Sequence, residues 1–141
     1  MIRTLALFCL IFILSTNAAE AQQQYKIRRI IDGDTVVIDA KFLPRELGQY
    51  LSLRISGIDT PESGAKAKCL FERTHAKDAK QYLSETITAA KTIKVILHGW
   101  DKYGGRVLGD IIVDDISVAD LLIANGYAYR YNGGRKTSWC I

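Results

Sequence analysis

The stretch YKIRRIIDGDTVVID (residues 25–39) sets two runs of β-branched and apolar residues on either side of Asp32-Gly33. Residues 25–31 alternate in polarity and residues 35–39 form a second run, so the pair predicts a β-hairpin with an Asp-Gly turn. Residues 41–49 contain Pro44 and Gly48 and read as a loop. Residues 50–55 (YLSLRI) alternate again, which predicts a third strand ended by Gly57.

From Cys69 the period lengthens. Leu70, Ala76, Ala79, Leu83, Ile87 and Ala90 recur at three- and four-residue steps with Lys77, Asp78, Lys80 and Glu85 between them. That spacing predicts an amphipathic helix of about five turns. Residues 92–97 (TIKVIL) and 106–113 predict two more strands, joined by the turn-like DKYGG. Ser117 is the predicted cap of a short helix over residues 118–125 that stops at Gly126. Residues 127–141 have no clear period. The order β-β-β-α-β-β-α describes a mainly β chain with helices (α+β). Five short strands with a helix between the third and fourth predict a five-stranded OB-type barrel, whose closure hides strand edges. An open α+β sandwich is the alternative.

The chain has 141 residues, room for one compact domain. Residues 1–21 have the layout of a cleavable secretory signal peptide: Arg3, an apolar run over residues 5–14, and Ala19-Glu20-Ala21 as a small-x-small site. Cleavage leaves residues 22–141 as a single domain, destined for the periplasm or the exterior. The apolar run is too short to span a bilayer and no other stretch is apolar enough, so no stable membrane association is expected after cleavage. A 48% hydrophobic content argues against disorder. The formal net charge of +4 gives a mild preference for anionic partners but names none. Losing Cys9 with the leader leaves Cys69 and Cys140, which predicts a disulfide in an oxidising compartment. Two unpaired thiols are the alternative.

Acidic residues and arginines gather at strand ends and turns. Ile31-Asp32-Gly33-Asp34-Thr35, Arg54-Ile55-Ser56-Gly57-Ile58-Asp59-Thr60-Pro61-Glu62 and Asp101-Lys102-Tyr103-Gly104-Gly105-Arg106 form three such groups. Singly, each has an ordinary reading: an Asx-stabilised turn, a helix N-cap, a charged hairpin loop. In an OB-type barrel the ends of strands one, three and five approach one another. Asp34 and Asp59 then offer hard oxygen ligands suited to Ca²⁺, supplemented by a backbone carbonyl. Arg54 and Arg106 offer planar donor forks for phosphate oxygens, and Glu62 offers a carboxylate to activate or orient a water. Those are the parts needed to hydrolyse a phosphodiester.

IDGDTVVI, RISGIDTPE and DKYGGR, in that order, resemble the thermonuclease (staphylococcal-nuclease-like) family, and the ending GGRKTSWC (residues 133–140) resembles that of some of its secreted bacterial members. The resemblance implies an OB-type barrel with packed helices. It implies a Ca²⁺-dependent endonuclease that cleaves DNA and RNA between phosphorus and the 5′-oxygen, leaving 3′-phosphates. Asp34 and Asp59 match the family's Ca²⁺-ligating carboxylates, Thr60 its carbonyl ligand, and Asp32 an acidic residue supporting the ion indirectly. Arg54 and Arg106 match the phosphate-binding arginines and Glu62 the general base or water organiser. Lys102 and Tyr103 match positions lining the nucleotide pocket. A monomer is expected. A non-catalytic OB-type nucleic-acid-binding module is the rival reading.

The chain departs from the family pattern in three places. DKYGGR has one glycine more than the commonest spacing, so a bulge is expected to carry Arg106 into the site. The segment 63–68 is short, and the tail ends at Trp139-Cys140-Ile141 where the family has a long helix. His75 and His98 read as surface or helix-face residues. Tyr127, Tyr129 and Tyr131 read as a stacking platform or as tail packing, and Lys66 and Lys68 as a positive fringe.

Overall fold

The computed structural model describes residues 25–141; the predicted leader lies outside them. The chain forms strands β1 (Ile27–Ile30), β2 (Thr35–Asp39), β3 (Tyr50–Ile55), β4 (Ile58–Asp59), β5 (Ile93–Trp100), β6 (Arg106–Val113), β7 (Ile116–Ser117) and β8 (Tyr129–Arg130). Helices α1 (Leu70–Ala89) and α2 (Val118–Ala124) complete it. The main sheet runs β1-β2-β3-β6-β5, with β7 added to β6. The β3–β6 pair is parallel and the other ladders of this sheet are antiparallel. All five expected strands appear in the order an OB-type fold requires, and the sheet curls into a half-barrel. Full closure would need a β1–β5 ladder, and none joins those strands among the described residues. Instead α1 packs beside β1.

Strand alternation follows the sequence. In β3, Leu51, Leu53 and Ile55 point into the core, and in β6 Val107, Ile111 and Val113 do so. Val36, Ile38, Ile58, Leu83 and Leu122 fill the centre, each burial worth about 1.5–3 kcal/mol. Gly109 fits the close β5–β6 approach because a Cβ there would sit 2.4 Å from the Ile96 carbonyl oxygen. No helix of the described residues is long and apolar enough to cross a membrane.

Three local readings are corrected. The hairpin does not turn on two residues: β1 ends at Ile30, β2 starts at Thr35, and the Ile31 and Asp32 amides both donate to the Thr35 carbonyl, at 2.8 and 3.3 Å. Gly33 is needed for space rather than for a left-handed backbone. A Cβ on it would lie 3.0 Å from the Ala79 Cβ and 3.0 Å from the Thr60 side chain. Gly33→Ala is therefore expected to cost about 1–3 kcal/mol by overpacking, read as a lower urea midpoint at unchanged slope. Next, Leu70 is 76% exposed, while Glu72 is 4% exposed and opens the buried face of α1 with Ala76, Ala79 and Leu83. A carboxylate is tolerated there because backbone donors reach it. Lastly, the aperiodic tail forms β8, which pairs with β4 through Ile58↔Arg130 and Asp59↔Tyr129. A two-residue bridge leaves no periodicity to read.

Cys69 and Cys140 are joined in a disulfide across 71 residues, as their count predicted. Cys69 also caps α1, its Sγ accepting from the Glu72 amide. Ser117 caps α2 by accepting from the Asp120 amide.

Candidate active site

The β2–β3 register sets Thr35 opposite Arg54, and the Ile55 amide donates to the Asp34 carbonyl at 2.8 Å. Because Leu53 and Ile55 face the core, Arg54 emerges on the opposite face, beside the 31–34 turn. Its Nη1 lies 2.8 Å from Asp34 Oδ1. Its Nη2 donates to the Ile58 carbonyl at 3.2 Å and stands 3.6 Å from Asp59 Oδ1. One guanidinium thus touches both carboxylates read as ion ligands. Both carboxylates belong to residues only 3% exposed.

Burial pushes the Asp34 carboxyl up to about 6, against the pull of Arg54; Asp32 adds to the rise. Asp32 Oδ1 accepts from the Asp34 amide at 3.2 Å, so the ordinary Asx reading holds alongside its place at the site. Thr60 is buried next to Asp59 and lies against Gly33.

Arg106 heads β6, which runs parallel to β3 with Arg106 opposite Ser52 and Leu108 opposite Arg54. The two arginines are diagonal neighbours on one face of the sheet. The extra glycine is absorbed inside the turn: Gly104 and Gly105 both take left-handed backbone, at φ 70° and 69°. The Asp101 amide donates to the Arg106 carbonyl at 2.9 Å, so Arg106 keeps its place in the ladder and needs no bulge of its own. The register shift on this ribbon falls between Leu97 and Gly99. Arg106 Nε donates to the buried Asp101 carboxylate at 2.5 Å, which holds that carboxyl below its usual range. The contact uses Nε and leaves the two terminal nitrogens to donate elsewhere.

Glu62 is fixed at its backbone, where its amide donates to Glu72 Oε1 at 3.2 Å. The Lys68 amide donates to the other Glu72 oxygen at 2.7 Å. An open cleft of about 820 Å³ gathers Asp32, Asp34, Arg54, Thr60, Glu62 and Arg106 on its walls. Lys102 and Tyr103 line it too, with Lys66 and Trp100. Asp59 sits just behind the wall and is reached through Lys136, whose Nζ lies 2.7 Å from Asp59 Oδ1.

A family model described as staphylococcal nuclease homologue matches residues 52–138. The chain belongs to that family. The matched residues include Arg54, Asp59, Thr60, Glu62 and Arg106, whereas the 31–34 turn joins the site through the sheet. A probable staphylococcal-like nuclease, CAN1, of Oryza sativa subsp. japonica is 32% identical over 85 residues, covering 60% of this chain and 23% of that protein. Endonuclease YhcR of Bacillus subtilis (strain 168) is 29% identical over 120 residues, 81% of this chain and 9% of the relative. The thermonuclease of Staphylococcus hyicus is 44% identical over 48 residues, 34% of this chain and 24% of its own. The chain thus spans about a quarter or less of the curated relatives it matches.

For this staphylococcal nuclease homologue, sequence reading missed four residues at or behind the cleft. Asp101 looked like one charge of a hairpin loop but anchors Arg106, and Glu72, which no motif singles out, anchors the Glu62 amide. Trp100 and Lys136 line the cleft and belong to none of the three site motifs. Among the tail tyrosines, only Tyr131 lines it. Tyr127 packs against His75 and Tyr82, and Tyr129 stacks on Trp139 at 4.0 Å between ring centres. His75 is no isolated surface residue: it also packs on Phe71 and Trp139, and one ring nitrogen lies 2.8 Å from the Gly126 carbonyl.

Proposed function

We propose that this staphylococcal nuclease homologue is a Ca²⁺-dependent endonuclease that hydrolyses DNA and RNA with little sequence preference. In this reading residues 22–141 work as a monomer in the periplasm or outside the cell, after loss of the leader. It cleaves between phosphorus and the 5′-oxygen and leaves 3′-phosphates. The observation that carries the reading is Arg54 touching two buried carboxylates in a cleft that also holds Arg106 and Glu62. The nuclease names of the relatives support it.

The donor set fits a hard divalent ion. Asp34 and Asp59 are buried carboxylates, and Asp59 Oδ1 has no aligned hydrogen-bond donor despite its cationic neighbours. Buried oxygens of this kind suit Ca²⁺, with Asp34, Asp59 and the Thr60 carbonyl holding it and Asp32 fixing the Asp34 backbone. When bound, the ion supplies positive charge beside the phosphoryl oxygens.

The chain's own residues account for the remainder. Arg54 and Arg106 present forked donors to the phosphoryl oxygens, whose charge grows as water attacks, so the two side chains favour the transition state over bound substrate. Glu62 takes the proton of the attacking water. The departing 5′-oxygen is reprotonated from solvent in the open cleft. Lys102 and Lys66 add positive field, and the exposed Tyr103 and Trp100 rings offer faces on which bases stack without reading sequence. The test is end-group chemistry: 5′-labelled single-stranded DNA cut in Ca²⁺ should yield fragments whose mobility changes after 3′-phosphatase treatment. Fragments ending in 3′-hydroxyls would contradict the cleavage site.

A pH dependence follows from Asp34. Ion binding requires its carboxylate, and the carboxyl sits at about 6. Calorimetric Ca²⁺ affinity should rise about tenfold per pH unit up to pH 6 and level off above it. The folded value exceeds the unfolded value of 3.8, so Asp34 favours the ion-free fold most below about pH 4 and loses that contribution as pH climbs through 6. Its contribution to ion-free stability and the ion affinity should therefore move in opposite directions across this window.

A further inference from the structure

Lys136 places a cation where the mechanism has no use for one. Its Nζ lies 2.7 Å from Asp59 Oδ1 and 2.9 Å from Glu62 Oε1. A single ammonium therefore contacts both a carboxylate assigned to the ion and the carboxylate assigned to the attacking water.

The position is built by anchors on both sides. Before Lys136, β8 pairs with β4 and the Tyr131 amide donates to the Gly57 carbonyl at 2.9 Å. Gly133 and Gly134 then turn the chain through left-handed backbone. After Lys136, Trp139 is buried against Tyr129 and Cys140 is bonded to Cys69. Cys69 caps the helix whose Glu72 holds the Glu62 amide. The disulfide therefore ties the backbone of Glu62 and the partner of its side chain to one point. Burial works against the charge on Lys136, yet contact with Asp59 and Glu62 outweighs it and Lys136 holds its proton above the usual lysine range.

A Ca²⁺–oxygen bond is about 2.3–2.6 Å long. A divalent ion on Asp59 Oδ1 and an ammonium 2.7 Å from that same oxygen would crowd two like charges against each other. Either cation on that oxygen therefore disfavours the other.

We propose that Lys136 is a tethered cation that neutralises Asp59 in the ion-free protein, yields it to the divalent ion, and stays on Glu62 as a positioning residue. The proposal rests on the ion site described above. While on Glu62 it engages Oε1.

The test is calorimetric titration of wild type, K136M and K136R with CaCl₂, beside their kcat on single-stranded DNA. Lys136 is 41% exposed at its side chain, so both variants should fold, which thermal unfolding checks. K136M should bind Ca²⁺ ~10-fold more tightly, because the internal competitor is gone, while its kcat falls as Glu62 loses its partner. K136R keeps the charge and should stay near wild-type affinity. Opposite movements of affinity and kcat are not what a merely structural residue produces. Equal or weaker Ca²⁺ binding by K136M would overturn the competition, as would K136R behaving like K136M. An unchanged kcat in K136M would overturn the positioning role. Absence of Ca²⁺ binding in both wild type and K136M would refute the ion site itself, and this proposal with it.

Discussion

Arg54→Ala is expected to lower kcat/KM on single-stranded DNA by ~10²–10³ while the protein stays folded. Arg54 is the one side chain that reaches Asp34, the Ile58 carbonyl and Asp59 at once among the described residues. Its removal takes a forked donor from the phosphoryl group and a counter-charge from two buried carboxylates. The second loss has its own signature. Without ion, the variant should melt below wild type, because Asp34 and Asp59 lose their shared partner. Added Ca²⁺ should narrow the gap, since an ion bound to the folded state alone stabilises it by mass action. Arg106→Ala should match the kinetic loss with a smaller effect on melting, because it takes the counter-charge from one carboxylate, Asp101, where Arg54→Ala takes it from two. Turnover within a few-fold of wild type in Arg54→Ala would remove this residue from the chemistry.

Replacing both cysteines by serine is expected to destabilise the fold by about 4 kcal/mol, from the entropy of closing a loop of this span. The bridge joins residues 71 apart. For a domain of this size the loss corresponds to roughly 12–25 °C in Tm. Serine is a good N-cap, so Cys69→Ser preserves the capping of α1 and the loss reports the cross-link. Thermal unfolding by circular dichroism measures it. The wild-type protein unfolded in reductant should fall to the same Tm. A shift of only a few degrees would mean that tail packing through Trp139, rather than the covalent link, secures this end of the chain.

What sequence made legible is the part that repeats. The β3 alternation Leu51, Leu53, Ile55 and the α1 steps Ala76, Ala79, Leu83 each carry a period, and both elements stand where the period put them. The caps Ser117 and Cys69 sit at the ends of such periods, although only Ser117 was readable as one. The candidate site residues were legible as three short motifs, and the sheet register gathers them on one cleft. Contacts made across long sequence distances were not readable. Lys136 stands 74 residues from Glu62, in a tail without periodicity, so no local pattern announces the pairing. Glu72 is a second such case: it belongs to none of the three motifs, and the Glu62 and Lys68 amides satisfy it in the interior. Leu70 was misplaced for a different reason: helical spacing fixes a stripe only to within a residue or two at the first turn.

In the reading proposed above, the cleft lined by Asp34, Arg54, Glu62 and Arg106, with Asp59 behind its wall, hydrolyses phosphodiesters with the help of a divalent ion. Purified protein incubated with single-stranded DNA in Ca²⁺, and in parallel with chelator, tests it most directly. The account predicts fragments in Ca²⁺ and intact strands in chelator. Strands that stay intact in Ca²⁺ and in every other divalent ion tried, while the protein still binds them, would contradict it and leave a nucleic-acid-binding module in its place.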